Sequence, residues 1–90
     1  MPVVQIPPAL RYYVEDKREL EISASSVNDL LVQLVERYPA LGFHLLDMEG
    51  KLRRHFNIFV NGEHIRELNS LDTVLEPGDR VVLLASAAGG

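Results

Sequence analysis

Gly89 and Gly90 close the sequence, and they are the residues on which chemistry is most readily done. Glycine has no Cβ, so its backbone can thread a channel too tight for other residues. Read as a free terminus, the acyl carbon of Gly90 is as unhindered as one on a protein can be. Two glycines alone read first as a plain linker end. The segment before them, a Val/Leu-dense strand and a short run of small residues, changes that reading.

Other residue types that tempt a chemical reading do not assemble into a site. His44, His55 and His64 lie on three different stretches, without the spacing of a metal motif such as HxxxH. Ser25 and Ser26 with Asp29 read as a helix cap, not as a nucleophile with its base. Arg11, Lys51, Arg53, Arg54 and Arg80 read as a solvated surface, with an electrostatic partner contact as the functional version. With no cysteine, a disulfide framework, a thiolate metal site and a catalytic thiol on this chain are excluded. There is no nucleotide loop and no credibly spaced carboxylate pair, so the chain is expected not to be an enzyme. No resident metal or cofactor is expected.

Ninety residues make one domain. Such a chain buries roughly 60–65% of its unfolded surface, for a net stability of about 5–10 kcal/mol. A hydrophobic content of 47% fits a folded domain, and a net charge of −4 argues against general nucleic-acid or anionic-membrane binding. No apolar run approaches membrane-spanning length and no basic leader is evident, so the expected location is cytoplasmic.

The elements that must position the tail follow from periodicity. Residues 3–6 form a short apolar strand, stopped by Pro7 and Pro8. Residues 10–14 are left open between extended structure and a turn. Leu20, Ile22 and Ala24 alternate with polar neighbours, the period of a half-buried strand. Val27, Leu30, Leu31, Leu34, Val35 and Tyr38 form one helical stripe. Ser26 is its N-cap and Pro39 its end. Residues 41–47 allow a second helical turn, and residues 48–55 read as a polar loop.

Phe56, Ile58 and Val60 alternate before Asn61-Gly62, a strong hairpin signal, with a short return strand over residues 64–66. Residues 68–75 are irregular or one helical turn. Glu76-Pro77-Gly78-Asp79 is a tight turn. Residues 80–85 are a last strand, dense enough in Val and Leu to predict burial on both faces. Placed beside the first strand and parallel to it, this strand completes an α+β, ubiquitin-like β-grasp: a mixed sheet with one main helix across it. Residues 1–85 form the domain and residues 86–90 a flexible tail.

The runs FNIFVNGEHIR (56–66) and LEPGDRVVLL (75–84), followed by the terminal glycines, resemble the ubiquitin-like sulfur carriers of the MoaD/ThiS family. So do VVQIPPALR (3–11), SVNDLLVQLVERYPAL (26–41) and DMEGKLRRHFNIFVN (47–61). The loop with GKLRR resembles the carriers that supply sulfur for cysteine synthesis more than the shorter thiamine carriers. The family often places proline after the last strand; here residues 85–90 read Ala-Ser-Ala-Ala-Gly-Gly.

The resemblance implies adenylation at Gly90 by an E1-like adenylyltransferase of the MoeB/ThiF type, which uses ATP. A sulfur donor then converts the acyl-adenylate to a thiocarboxylate, and a sulfur-accepting synthase receives the sulfur. Cysteine, molybdopterin and thiolated tRNA synthesis are all open as the destination. Gly89, Ala88 and Ala87 would thread into the partner, and an extended tail of five residues reaches roughly 16 Å. Phe59, Val82 and Leu84 are expected on the sheet face away from the helix, as an apolar docking patch. Two further readings share the tail: a ubiquitin-like modifier joined through Gly90 to lysines, and a non-activated subunit that docks on a synthase.

Overall fold

A computed structural model describes residues 1–85. The expected tail, including Ala87, Ala88, Gly89 and Gly90, lies outside the described residues.

The domain begins with β1 (Val3–Gln5), which ends where Pro7 and Pro8 remove ladder donors. Pro8 instead opens a 3-10 helix, Pro8–Val14, which settles the stretch left open by its sequence. Leu10 and Val14 turn into the core from this helix. β2 (Glu19–Glu21) returns antiparallel to β1, pairing Leu20 with Val4.

The main helix α1 spans Val27–Arg37. Its N-cap is as expected: Ser26 Oγ accepts from the Asp29 amide at 3.1 Å, and Asp29 Oδ2 accepts from the Ser25 amide at 3.0 Å. Two amides at this helix entry are thereby satisfied by side chains. Val27, Leu30, Leu31 and Leu34 are buried, while Val35 and Tyr38 pack at the core margin. A second helix, α2 (Pro39–Leu45), follows at once and buries Leu41 and Leu45. At Gly42 the two helices meet so closely that a Cβ would stand 2.9 Å from Val35 Cγ1.

β3 (Phe56–Val60) buries alternate residues, as its period of two predicts. Asn61 and Gly62 both take positive φ, 51° and 88°, and turn the chain into β4 (Glu63–His64). This return strand is shorter and earlier than the one predicted over residues 64–66. Ile65 is buried and starts a 3-10 helix, Ile65–Glu67, so the demand to cover Ile65 draws the chain out of the ladder. His64 Nδ1 caps that helix by accepting from the Arg66 amide at 3.0 Å. A further 3-10 helix, Ser70–Asp72, occupies the irregular stretch.

The last strand, β5 (Arg80–Ala85), lies in the middle of a sheet ordered β2-β1-β5-β3-β4. It runs parallel to β1 and antiparallel to β3, with Val81 beside both Val4 and Val60. This is the β-grasp arrangement. One expectation fails: β5 is not buried on both faces. Val81 and Leu83 are buried, Val82 is half-buried, and Leu84 and Ala85 are exposed. Both helices and the core lie on one side of the sheet, so a central position by hydrogen bonding does not bring burial on the second face.

Candidate docking surface and tail exit

β5 delivers the tail. Its start is fixed by the Glu76–Asp79 turn, in which Gly78 takes a φ of 88° and the Asp79 amide donates to the Glu76 carbonyl at 3.1 Å. Asp79 then ties this turn to the β3–β4 hairpin. Its Oδ1 accepts from Asn61 Nδ2 at 2.9 Å and its Oδ2 from the Glu76 amide at 2.8 Å. Asn61 Oδ1 in turn accepts from the Arg80 amide at 3.0 Å. The Glu76 amide, and after it the Asn61 amide group, hold the Asp79 carboxyl below its ordinary range. Two turns are thus locked at one end of β3 and β5, and Ala85 pairs with Phe56 at the other end.

The sheet face away from the helices carries Phe59, Val82 and Leu84. Phe59 and Val82 are direct cross-strand partners; Leu84 lies two residues along β5, opposite Asn57. Phe59 and Val82 are half-buried against one another and their neighbours, and Leu84 is 46% exposed. The Phe59 ring meets the His64 ring edge-on at 5.1 Å. Polar groups surround these three. His64 Nε2 lies 3.0 Å from Asn57 Oδ1, Gln5 pairs with Val82 from β1, and Arg80 bridges to Glu19 on β2. An apolar centre with a hydrogen-bonded polar rim is the anatomy of a protein-binding surface. Leu84 lies one residue before the end of β5, so the surface runs to the end of that strand.

The remaining sequence candidates are dispersed. His44 stacks on Tyr13 at 4.2 Å, His55 lies against Phe56 at 4.4 Å, and His64 is at the hairpin. Among the described residues no group of three or more His, Cys, Asp or Glu is placed to hold a metal ion. Arg11 donates to the Ile6 carbonyl at 3.1 Å, Arg53 to that of Phe43 at 3.2 Å, and Lys51 pairs with Glu49 at 3.7 Å. No described helix is long and apolar enough to cross a membrane.

One feature escaped the sequence reading. A groove of about 400 Å³ opens on the helix side of the sheet at the end of β5, among the first 3-10 helix, α2 and the segment leading into β3. Tyr13, Phe43, His44, Arg53, His55 and Ala85 line it. Phe43, 80% exposed, was the available signal: Leu41 and Leu45 share one face of α2, so Phe43 must point elsewhere.

Comparison with known proteins agrees with this architecture. The sulfur carrier protein CysO of Mycobacterium tuberculosis is 33% identical over 89 residues, covering 97% of this chain and 96% of the relative. A chain of the Amycolatopsis orientalis BexX/CysO complex superposes with a TM-score of 0.87 at 28% identity, covering all of both chains. The small archaeal modifier protein 1 of Methanosarcina acetivorans gives a TM-score of 0.88 at 30% identity, covering 99% of this chain and 95% of that one. The profile of the ThiS family matches residues 4–90, and the chain belongs to that family.

Proposed function

We propose that this protein is a sulfur carrier whose reactive group is the carboxyl of Gly90. The observation that carries this reading is the match to CysO along nearly the whole chain, together with a family match that extends through the terminal glycines. On this reading the protein is a co-substrate of enzymes rather than an enzyme itself.

A carboxylate resists nucleophiles because it is anionic and would have to expel oxide. In the proposed cycle an E1-like adenylyltransferase lets the Gly90 carboxylate attack the α-phosphate of ATP, and pyrophosphate leaves. Hydrosulfide then attacks the acyl carbon and AMP leaves, giving the thiocarboxylate. With a persulfide donor the first product is an acyl disulfide, and a second thiol releases the thiocarboxylate. The anion so formed is a soft nucleophile, which lets a chain without cysteine carry sulfur. ATP belongs to the activating partner. Gly89, Ala88 and Ala87 thread into that partner while Phe59, Val82 and Leu84 dock outside. The likeness to CysO favours cysteine synthesis as the destination of the sulfur.

A second reading, conjugation through Gly90 to protein lysines, is favoured by the likeness to an archaeal modifier protein. Intact mass separates the two. A gain of about 16 Da at Gly90 in protein from its native cell supports the carrier, since one oxygen has become sulfur. Conjugates that survive boiling with reductant, and no such mass gain, support the modifier.

A further inference from the structure

Asn61 and Gly62 close the β3–β4 hairpin, and the pair carries a chemistry that turning the chain does not use. Of the four asparagines, Asn28, Asn57, Asn61 and Asn69, only Asn61 precedes a glycine. An asparagine side-chain carbonyl can close a cyclic imide with the backbone nitrogen of the next residue. A side chain on that next residue hinders the approach, and glycine has none. The space around Gly62 is open: a Cβ there would meet nothing within 4 Å. Both residues are exposed, so water reaches them.

The fold restrains that reaction. Asn61 Nδ2 donates to Asp79 Oδ1 at 2.9 Å, and Asn61 Oδ1 accepts from the Arg80 amide at 3.0 Å. The backbone is held on the same side, where the Asn61 amide donates to the Arg80 carbonyl at 2.8 Å. Both ends of the carboxamide are therefore anchored on the turn that precedes β5. The side chain must let go of that turn before its carbon can reach the Gly62 nitrogen. We propose that Asn61 is a deamidation site guarded by Asp79, and that its product opens the link between the β3–β4 hairpin and the start of β5.

In the reaction the Gly62 nitrogen bonds to Asn61 Cγ and gives up its proton. The Cγ–Nδ2 bond breaks, and Nδ2 leaves as ammonia. Water then opens the imide at either carbonyl, giving aspartate or isoaspartate. One water enters and one ammonia leaves, with no change of oxidation state. In the aspartate product, the group that donated to Asp79 becomes a second carboxylate in the same position. Asp79 is ionised at neutral pH, because the Glu76 amide and after it the Asn61 amide group hold its carboxyl below the ordinary range. Attraction therefore turns to repulsion. Isoaspartate adds a backbone carbon to a turn that Asn61 and Gly62 close at φ 51° and 88°. The Phe59–His64 and Val60–Glu63 pairs then lose their register. This chemistry is independent of what the protein carries.

The test incubates purified full-length protein in warm neutral solution and follows the peptide that holds Asn61, where each conversion adds about 1 Da. Asp79→Ala should raise the rate at Asn61 roughly tenfold, the factor expected from losing one hydrogen bond to a charged group. The parent unfolded in urea should also react faster than the folded parent. A rate that Asp79→Ala leaves unchanged or lowers would overturn the proposal, and so would an Asn61 that stays intact in the unfolded chain. The unfolding midpoint of Asp79→Ala guards against a folding defect, and a second set of variants reads the same contact independently. Asn61→Asp stands for the aspartate product and should lower the urea midpoint. Combining it with Asp79→Asn should restore the midpoint, because the exchanged pair again sets one amide against one carboxylate. A double variant no more stable than Asn61→Asp alone would overturn the proposed opening of the link, since facing carboxylates would not be the cause of the loss.

Discussion

Leu83 and Leu84 are neighbours in sequence on opposite faces of β5, and truncating each to alanine tests the face assignment on which the proposed docking surface rests. Leu83 is fully buried. Removing three carbon groups at about 0.8 kcal/mol each forfeits about 2.4 kcal/mol of transfer energy. The cavity left in a packed core raises the loss to roughly 3–4 kcal/mol. Leu84 is 46% exposed. Its transfer loss is therefore about half as large, no closed cavity forms, and residual burial in the unfolded chain trims the figure to about 1 kcal/mol. Urea unfolding at constant m-value reads both losses against a total of about 5–10 kcal/mol. Binding to the activating enzyme should reverse the order. Leu84→Ala should weaken it roughly five- to tenfold, the effect of losing a contact worth about 1–1.4 kcal/mol, while folded Leu83→Ala binds normally. Equal stability losses for the two would refute the face assignment. If Leu84→Ala and Phe59→Ala both bind the activating enzyme like the parent, the surface is not where that enzyme docks.

Gly90→Val should abolish adenylation while leaving the unfolding midpoint unchanged; a normal rate of pyrophosphate release would show that the reaction does not need the unhindered terminus. Ser26→Ala should cost about 1 kcal/mol in chemical denaturation, because the Asp29 amide loses its cap. Asp79→Asn should flatten the acid limb of the stability curve. The folded pKa of Asp79 is depressed, so its contribution is complete above the ordinary value of 3.8 and is lost as pH falls through the lower folded value. Urea titrations from pH 6 down to the acid limit check the sign, and a variant curve parallel to the parent's would show that the turn contacts are absent in solution.

What the sequence discloses divides along a physical line. Patterns carried by a few consecutive residues are legible. The helix stripe from Val27 to Leu34, its Ser26 cap and the Asn61-Gly62 turn each state their own geometry, and each is found where expected. The position of β5 beside β1 is legible too, because a parallel pair needs a long crossover and the intervening residues supply one. Its burial is not. A strand as rich in Val and Leu as residues 80–85 reads as enclosed, but enclosure depends on what covers the second face, which no local pattern encodes. Here only Val81 and Leu83 are covered from the helix side, and the surplus apolar residues Val82 and Leu84 remain on the open face. The failed expectation and the proposed docking surface therefore have one cause.

The groove was illegible for a related reason. Its described lining comes from residues 9, 10, 13, 43, 44, 53, 55, 56 and 85, which no periodicity connects. Only when residues 8–14 fold as a 3-10 helix, and α2 follows α1 without a loop, do Tyr13 and His44 stack and close one wall. Before folding, Arg53 looks like any basic residue in a polar loop. Its bond to the Phe43 carbonyl turns it toward the point at which β5 ends.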